Sequence, residues 1–158
     1  MESWASSAGV RRSMQANRPR NTAPEVALRS ALHRAGLRFR KHARPVPGLR
    51  CEPDIVFPGV RLAVFLDGCW WHSCPLHGQI PKAHQEFWST KLAKTQARDM
   101  RNTAALNQAG WTVVRIWEHE PMDVQVEAVR ATLADLQGSQ RGAHSVAQSK
   151  TAAEGLVT

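Results

Sequence analysis

Three groups of residues in this 158-residue chain have the types and spacing to do chemistry. The first is Cys69-x4-Cys74-x2-His77. Tetrahedral zinc takes four soft or borderline donors, and short spacings let one loop supply two or three of them. His119, far along the chain, is the candidate fourth donor. The alternative is that the cysteines are small buried apolar residues and the histidines incidental. The third cysteine, Cys51, lies outside the motif. Metal ligation suits these cysteines better than a disulfide framework, because histidines are interleaved with them.

The second group is acidic. Asp54 follows Pro53 and leads into Ile55-Val56-Phe57. A carboxylate entering a buried strand is costly unless it is paired or holds a cation. The bland alternative is a solvated aspartate at a strand end. Glu25 could approach from a preceding helix, although Thr22-Ala-Pro-Glu25 also reads as a helix capping box. His72 joins this group as a candidate base, since a neutral imidazole beside a metal can take a proton from water. It could equally be a zinc ligand or touch a phosphate.

The third group is aromatic and basic. Trp70 and Trp71 are adjacent inside the Cys/His segment, and two neighbouring tryptophans on a loop do not both enter a core easily. Exposed aromatics beside a cationic surface favour base stacking or insertion. One of the pair could instead pack beneath the loop. Trp88 is a further candidate wedge or core residue. Lys91, Lys94, Arg98 and Arg101 recur at steps of three and four, which makes one basic stripe on a helix.

These residues need elements to position them. A capping box at Thr22, an apolar pattern through Leu28, Ala31 and Leu32, and Gly36 predict a helix ending near Ala35. Leu37–Ala43 alternates as a half-exposed strand would. Two β-rich runs, Pro53–Phe57 and Arg61–Leu66, flank Pro58-Gly59 and predict an antiparallel hairpin whose second strand lies inside the sheet. Glu86–Ala109 is a long helix stopped by Gly110, Trp111–Trp117 a buried-type strand, and Met122–Leu136 a last helix. This order implies an α/β domain with a mixed sheet flanked by helices. Residues 1–20 form a basic arm, 21–137 the domain, and 138–158 a disordered tail.

Charge narrows the partner. The net charge is +8, and residues 1–50 hold eleven Lys/Arg against Glu2 and Glu25. A cationic third without an amphipathic Leu/Phe face points to nucleic acid rather than membrane. No apolar run approaches a membrane span and the N-terminal residues lack the apolar centre of a signal peptide, so the expected compartment is the cytoplasm.

Taken together, the motifs resemble those of the very-short-patch (Vsr) DNA mismatch repair endonucleases. The resemblance is carried by Val64-Phe-Leu-Asp-Gly-Cys-Trp-Trp-His-Ser-Cys-Pro-Leu-His77, Asn21-Thr-Ala-Pro-Glu25, Glu52-Pro-Asp54, Glu86-Phe-Trp88, Arg98-Asp99 and Gly110-Trp-Thr-Val-Val-Arg-Ile-Trp-Glu118. It runs from about Val10 to Leu136. It implies a restriction-endonuclease-like fold and nicking 5′ of the thymine in a T·G mismatch left by 5-methylcytosine deamination. By position, Asp54 and the main-chain carbonyl of Leu66 would hold Mg²⁺, and His72 and Glu25 would act through water, with Asp99 supporting them. Cys69, Cys74, His77 and His119 would bind structural zinc. Trp70, Trp71 and Trp88 would insert beside the mismatch from the major groove, and Met14 from the minor groove. Double-stranded DNA with a T·G mismatch is the implied partner, mismatch-repair proteins are candidates for others, and the expected state is a monomer.

The chain departs from the family pattern at three places. His119 stands where Cys is frequent, Asp67 where a well-known member has His, and Trp70 where Phe is more usual. The change at Asp67 puts the local proton relay in question. Two other readings remain open at this stage. One is a nickase of the same fold serving restriction or phage defence without mismatch preference, and the other a zinc-stabilised DNA-binding module without catalysis.

Overall fold

The structure is a computed structural model that describes residues 20–154 except 81 and 83, with side chains described as far as residue 141. The basic arm up to residue 19, with Met14, therefore lies outside the described residues.

The first described helix, α1, spans Ala23–Arg34 and has Pro24 in its first turn, where a missing N–H costs nothing. Leu28, Ala31 and Leu32 are its buried apolar face. It stops at Gly36, whose φ of 80° permits a closing motif. The Gly36 N–H bonds to the His33 carbonyl at 2.9 Å and the Leu37 N–H to that of Leu32 at 3.0 Å. The same arrangement ends the long helix α2, Gln85–Gln108, at Gly110.

The sheet has three strands, β1 Ile55–Phe57, β2 Leu62–Asp67 and β3 Thr112–Trp117, with β2 in the centre. β1 and β2 form the expected antiparallel hairpin, joined by a 3-10 turn at Pro58–Val60. β3 runs parallel to β2 with Leu62 opposite Thr112 and Asp67 opposite Trp117. A parallel pair needs a crossover, and α2 supplies it. The sheet is thus mixed, as the element order implied.

Side chains of β2 alternate between two covered faces. Leu62 and Val64 join Ile55, Ile116, Leu28 and Val129 in the main core beneath α1 and the last helix, α3, Met122–Glu154. Ala63 packs the other way with Cys51 and Leu106, and with partly buried Phe65 and Val113. This period of two puts Asp67 and Arg115 on the α2 side of the sheet.

Two expectations differ from the structure. The strand over Leu37–Ala43 is reduced to one bridge between Arg40 and Val56. His42 has a φ of 50°, which turns the chain away from the β1 edge before a ladder forms. Helix α3 spans Met122–Glu154 and so continues past Gly138, where the disordered tail was expected to begin. Residues 137–141 of it are exposed. The stretch from Gly138 has no proline and holds four alanines, the best helix formers, so local propensity is compatible with a helix. No helix among the described residues is long and apolar enough to cross a membrane.

Candidate active site and metal centre

Strand β2 ends where the acidic residues gather. They line a cleft of about 1150 Å³ that takes Glu25 from α1, Asp54 from the entry to β1, Leu66 and Asp67 from β2, His72 from the following loop and Asp99 from α2. Asp54 Oδ2 accepts the Leu66 main-chain N–H at 2.8 Å. A strand residue turns its N–H and carbonyl to the same edge, so the Leu66 carbonyl also leaves on the Asp54 side. Burial pushes the Asp54 carboxyl up to about 6, a rise opposed by the Leu66 hydrogen bond and assisted by the charges of Glu25 and Asp67.

Glu25 is buried and already engaged. Its Oε2 accepts the Asn21 N–H at 2.9 Å and faces the Arg29 guanidinium at 3.3 Å, while Oε1 accepts the Thr22 hydroxyl at 2.9 Å. The N-terminal cap is therefore built by Glu25 reaching back, without the Thr22 side chain bonding the helix N–H groups. Arg29, which the sequence reading passed over, is buried with it.

His72 is fixed from behind. Its Nδ1 lies 2.6 Å from Asp99 Oδ2 and 3.6 Å from Asp67 Oδ1. Arg115 grips Asp67 with two bonds of 2.7 Å and comes within 3.4 Å of Asp99. Arg115 also lies over the Phe65 ring at 4.8 Å. It was not anticipated. Its signal was present, though: one cation in the otherwise apolar run Val113-Val-Arg-Ile-Trp117 needs a buried partner.

The Cys/His segment coils into tight turns, with Cys74 N–H bonded to the Cys69 carbonyl at 2.9 Å and His72 N–H to that of Gly68 at 3.1 Å. Glu118, just past β3, accepts the Cys69 N–H at 2.7 Å. The Glu118 N–H bonds in turn to the Asp67 carbonyl, which carries His119 alongside the loop. Donor atoms of Cys69, Cys74, His77 and His119 all lie within 4.8 Å of one another and form a group that could hold a metal ion. Sulfur-to-nitrogen separations are 3.0–3.9 Å. Tetrahedral zinc with ordinary bond lengths places such atoms about 3.6 Å apart, so the donor set fits that ion.

Trp70 and Trp71 are half-buried at the cleft, edge to face with ring centres 4.5 Å apart. Of the two readings of Trp88, wedge or core residue, its burial fits the second. The residue is only 4 % exposed, with Trp70 against it at 4.7 Å. It lies in the first turn of α2 with its indole buried. Lys91 lies 5.3 Å from the Trp71 ring and 5.1 Å from that of Trp88. Lys94, Arg98 and Arg101 follow along the exposed face of α2 as the spacing indicated.

Residues 6–76 match the family model described as DNA mismatch endonuclease Vsr. The chain is 48% identical over 132 residues to the type II nicking enzyme V.NaeI of Lentzea aerocolonigenes, covering 82% of this chain and 80% of that protein. It is 47% identical over 113 residues to the type II nicking enzyme V.XorIIP of Xanthomonas oryzae pv. oryzae, covering 70% and 80%. It is also 38% identical over 109 residues to the DNA mismatch endonuclease Vsr of Escherichia coli K12, covering 68% and 67%. These similarities make the chain an enzyme of the DNA endonuclease class. Within that class, it belongs to the DNA mismatch endonuclease Vsr family.

Proposed function

We propose that this chain is a Mg²⁺-dependent endonuclease with a restriction-endonuclease-like fold that nicks one DNA strand 5′ of the thymine in a T·G mismatch. The reading rests on one observation above all: Asp54, Glu25 and an Asp99-held His72 face the same cleft that Trp70 and Trp71 border. A catalytically silent binding module has no use for that combination.

The oxygen donors suit a hard cation. Asp54 is buried, its carboxyl is pushed up to about 6, and the Leu66 carbonyl leaves on its side. Bound there, Mg²⁺ would supply positive charge to the scissile phosphate and to the departing 3′ oxygen. The remaining work belongs to the chain. Asp99 holds Nδ1 of His72, which leaves Nε2 to take a proton from the attacking water. Glu25 orients that water through an oxygen it shares with the α1 cap. Cys69, Cys74, His77 and His119 would hold a zinc ion that ties the loop down, so that Trp70 and Trp71 can meet the base stack.

Insertion of an aromatic ring costs a few kcal/mol of unstacking. A wobble pair is already weakened, so insertion is easier at T·G than at T·A. Lys94 and Arg98, with Lys91 beside the indoles, supply phosphate contacts along α2. Met14 of the arm is assigned to the opposite groove by resemblance alone.

Matched T·G and T·A duplexes, incubated with Mg²⁺ and again with EDTA, test the reading. Nicking confined to T·G with Mg²⁺ is the expected result. Equal nicking of both duplexes would favour the second reading, a nickase without mismatch preference; the relatives named type II nicking enzymes bear on the nicking alone. Binding without cutting would leave a zinc-stabilised DNA-binding module.

A further inference from the structure

Two carboxylates compete for one imidazole nitrogen in this cleft. Asp99 Oδ2 stands 2.6 Å from His72 Nδ1 and Asp67 Oδ1 stands 3.6 Å from it. Asp67 is only 5 % exposed, so water does little to separate the two charges. Arg98 pairs with the outer oxygen of Asp99, its Nη2 3.1 Å from Oδ1, and among the described residues only Arg115 reaches both carboxylates. Arg115 sends Nε to Asp67 Oδ2 and Nη2 to Asp67 Oδ1, both at 2.7 Å, and the same Nη2 lies 3.4 Å from Asp99 Oδ2.

We infer that Arg115 is a positioning residue that commits Asp67 through a two-pronged ion pair, so that Asp99 alone holds the His72 ring. The inference deepens the assignment of His72 as proton acceptor and rests on it. Arg115 can do this because strand alternation places it on the α2 side of the sheet with Asp67, on adjacent parallel strands. The Phe65 ring beneath it, at 4.8 Å, blocks other orientations of the guanidinium. A planar fork that bonds both oxygens of one carboxylate also fixes that carboxylate's rotation, which a lysine would not.

The arrangement makes a specific double-mutant prediction. Without Arg115, Asp67 is released to compete for Nδ1, and its repulsion of Asp99 is offset only by the exposed Arg98 on the far oxygen of Asp99. Removing the Asp67 charge as well takes away the competitor. In Arg115→Gln the single-turnover nicking rate should fall roughly 10²-fold, the scale of misplacing a catalytic group, while the Kd for a T·G duplex stays close to wild type. Asp67→Asn alone should also slow the reaction, because the guanidinium then turns to Asp99 and weakens its hold on His72. The double variant Asp67→Asn/Arg115→Gln should be at least about tenfold faster than Arg115→Gln, since neighbours that act through one shared group are non-additive.

The experiment measures single-turnover nicking with Mg²⁺, duplex Kd at two salt concentrations and Tm for these three variants and for His72→Ala. Recovery in the double variant with unchanged Kd supports the inference. No recovery overturns it and leaves Arg115 a structural residue. A weaker, more salt-sensitive Kd in Arg115→Gln overturns it in favour of a phosphate contact. Full nicking by Arg115→Gln alongside a dead His72→Ala sinks the inference and spares the assignment of His72. Full nicking by His72→Ala sinks both.

Discussion

The metal-ligand loop and the acidic cleft are neighbours built on opposite plans. Three of the four loop donors come from nine consecutive residues, Cys69 to His77, and only His119 is distant. The cleft takes its groups from α1, the β1 entry, β2, the loop, α2 and β3, and no two of Glu25, Asp54, Asp99 and Arg115 are close in sequence. A local motif survives as a motif because its geometry is set by a few turns. A distributed site has no spacing rule, and its geometry depends on strand register and on which face of α2 meets the sheet.

That difference predicts different failures. Cys74→Ser should be the most damaging change, because the loop that carries Trp70, Trp71 and His72 loses its anchor. The variant should lose its bound metal, its mismatch binding and its nicking together, which metal analysis, a binding assay and a nicking assay would record. If binding survived, the loop would be held by packing on Trp88 instead, and the two regions would be less distinct than the donor geometry indicates.

His72→Ala attacks the cleft alone. Nicking should fall by about 10²- to 10⁴-fold, the usual worth of a general base, while bound metal and duplex affinity are retained. Parallel loss of affinity would move His72 from chemistry to recognition.

The smallest effect concerns stability. Burial raises the folded Asp54 carboxyl from 3.8 to about 6, so this group favours folding below about pH 4 and loses that contribution as pH rises through 6. Near pH 8 and without Mg²⁺, Asp54→Asn should therefore stabilise the fold, by up to about 3 kcal/mol. Denaturant melts of the two proteins would show it. An unchanged or lower stability would mean that the Asp54 charge is well compensated in the metal-free protein.

The sequence carried the local features well. Gly36 and Gly110 marked both helix ends, and the hydrogen-bonded closures at each explain why. Pro58-Gly59 marked the hairpin, and the apolar run of β2 marked the central strand. The segment after α1 misled, since its alternation of Leu37 and Phe39 is real but the positive φ at His42 ends the pairing after one bridge. The stretch from Gly138 looked structureless by composition, yet its alanines and lack of proline also allow the helix that runs to Glu154.

Tertiary features were harder to read. The fourth donor, His119, was placed only as a distant candidate, and it is the β2–β3 register that brings it to the loop. Arg115 was invisible as a partner of Asp67 until Asp67 was known to face the same side of the sheet. Asp67, where a well-known family member has His, put the local proton relay in question. The ion pair with Arg115 gives that aspartate a partner within the chain's own architecture. Trp88 had the right residue type for insertion, but its burial under Trp70 is a property of the folded cluster.

The most direct test of the account is to separate cutting from recognition at Asp54. In Asp54→Ala, a T·G duplex assayed with saturating Mg²⁺ should be bound with near wild-type affinity and not nicked. Nicking at a rate comparable to wild type would contradict the account, because the acidic cleft would then not be where the strand is cut.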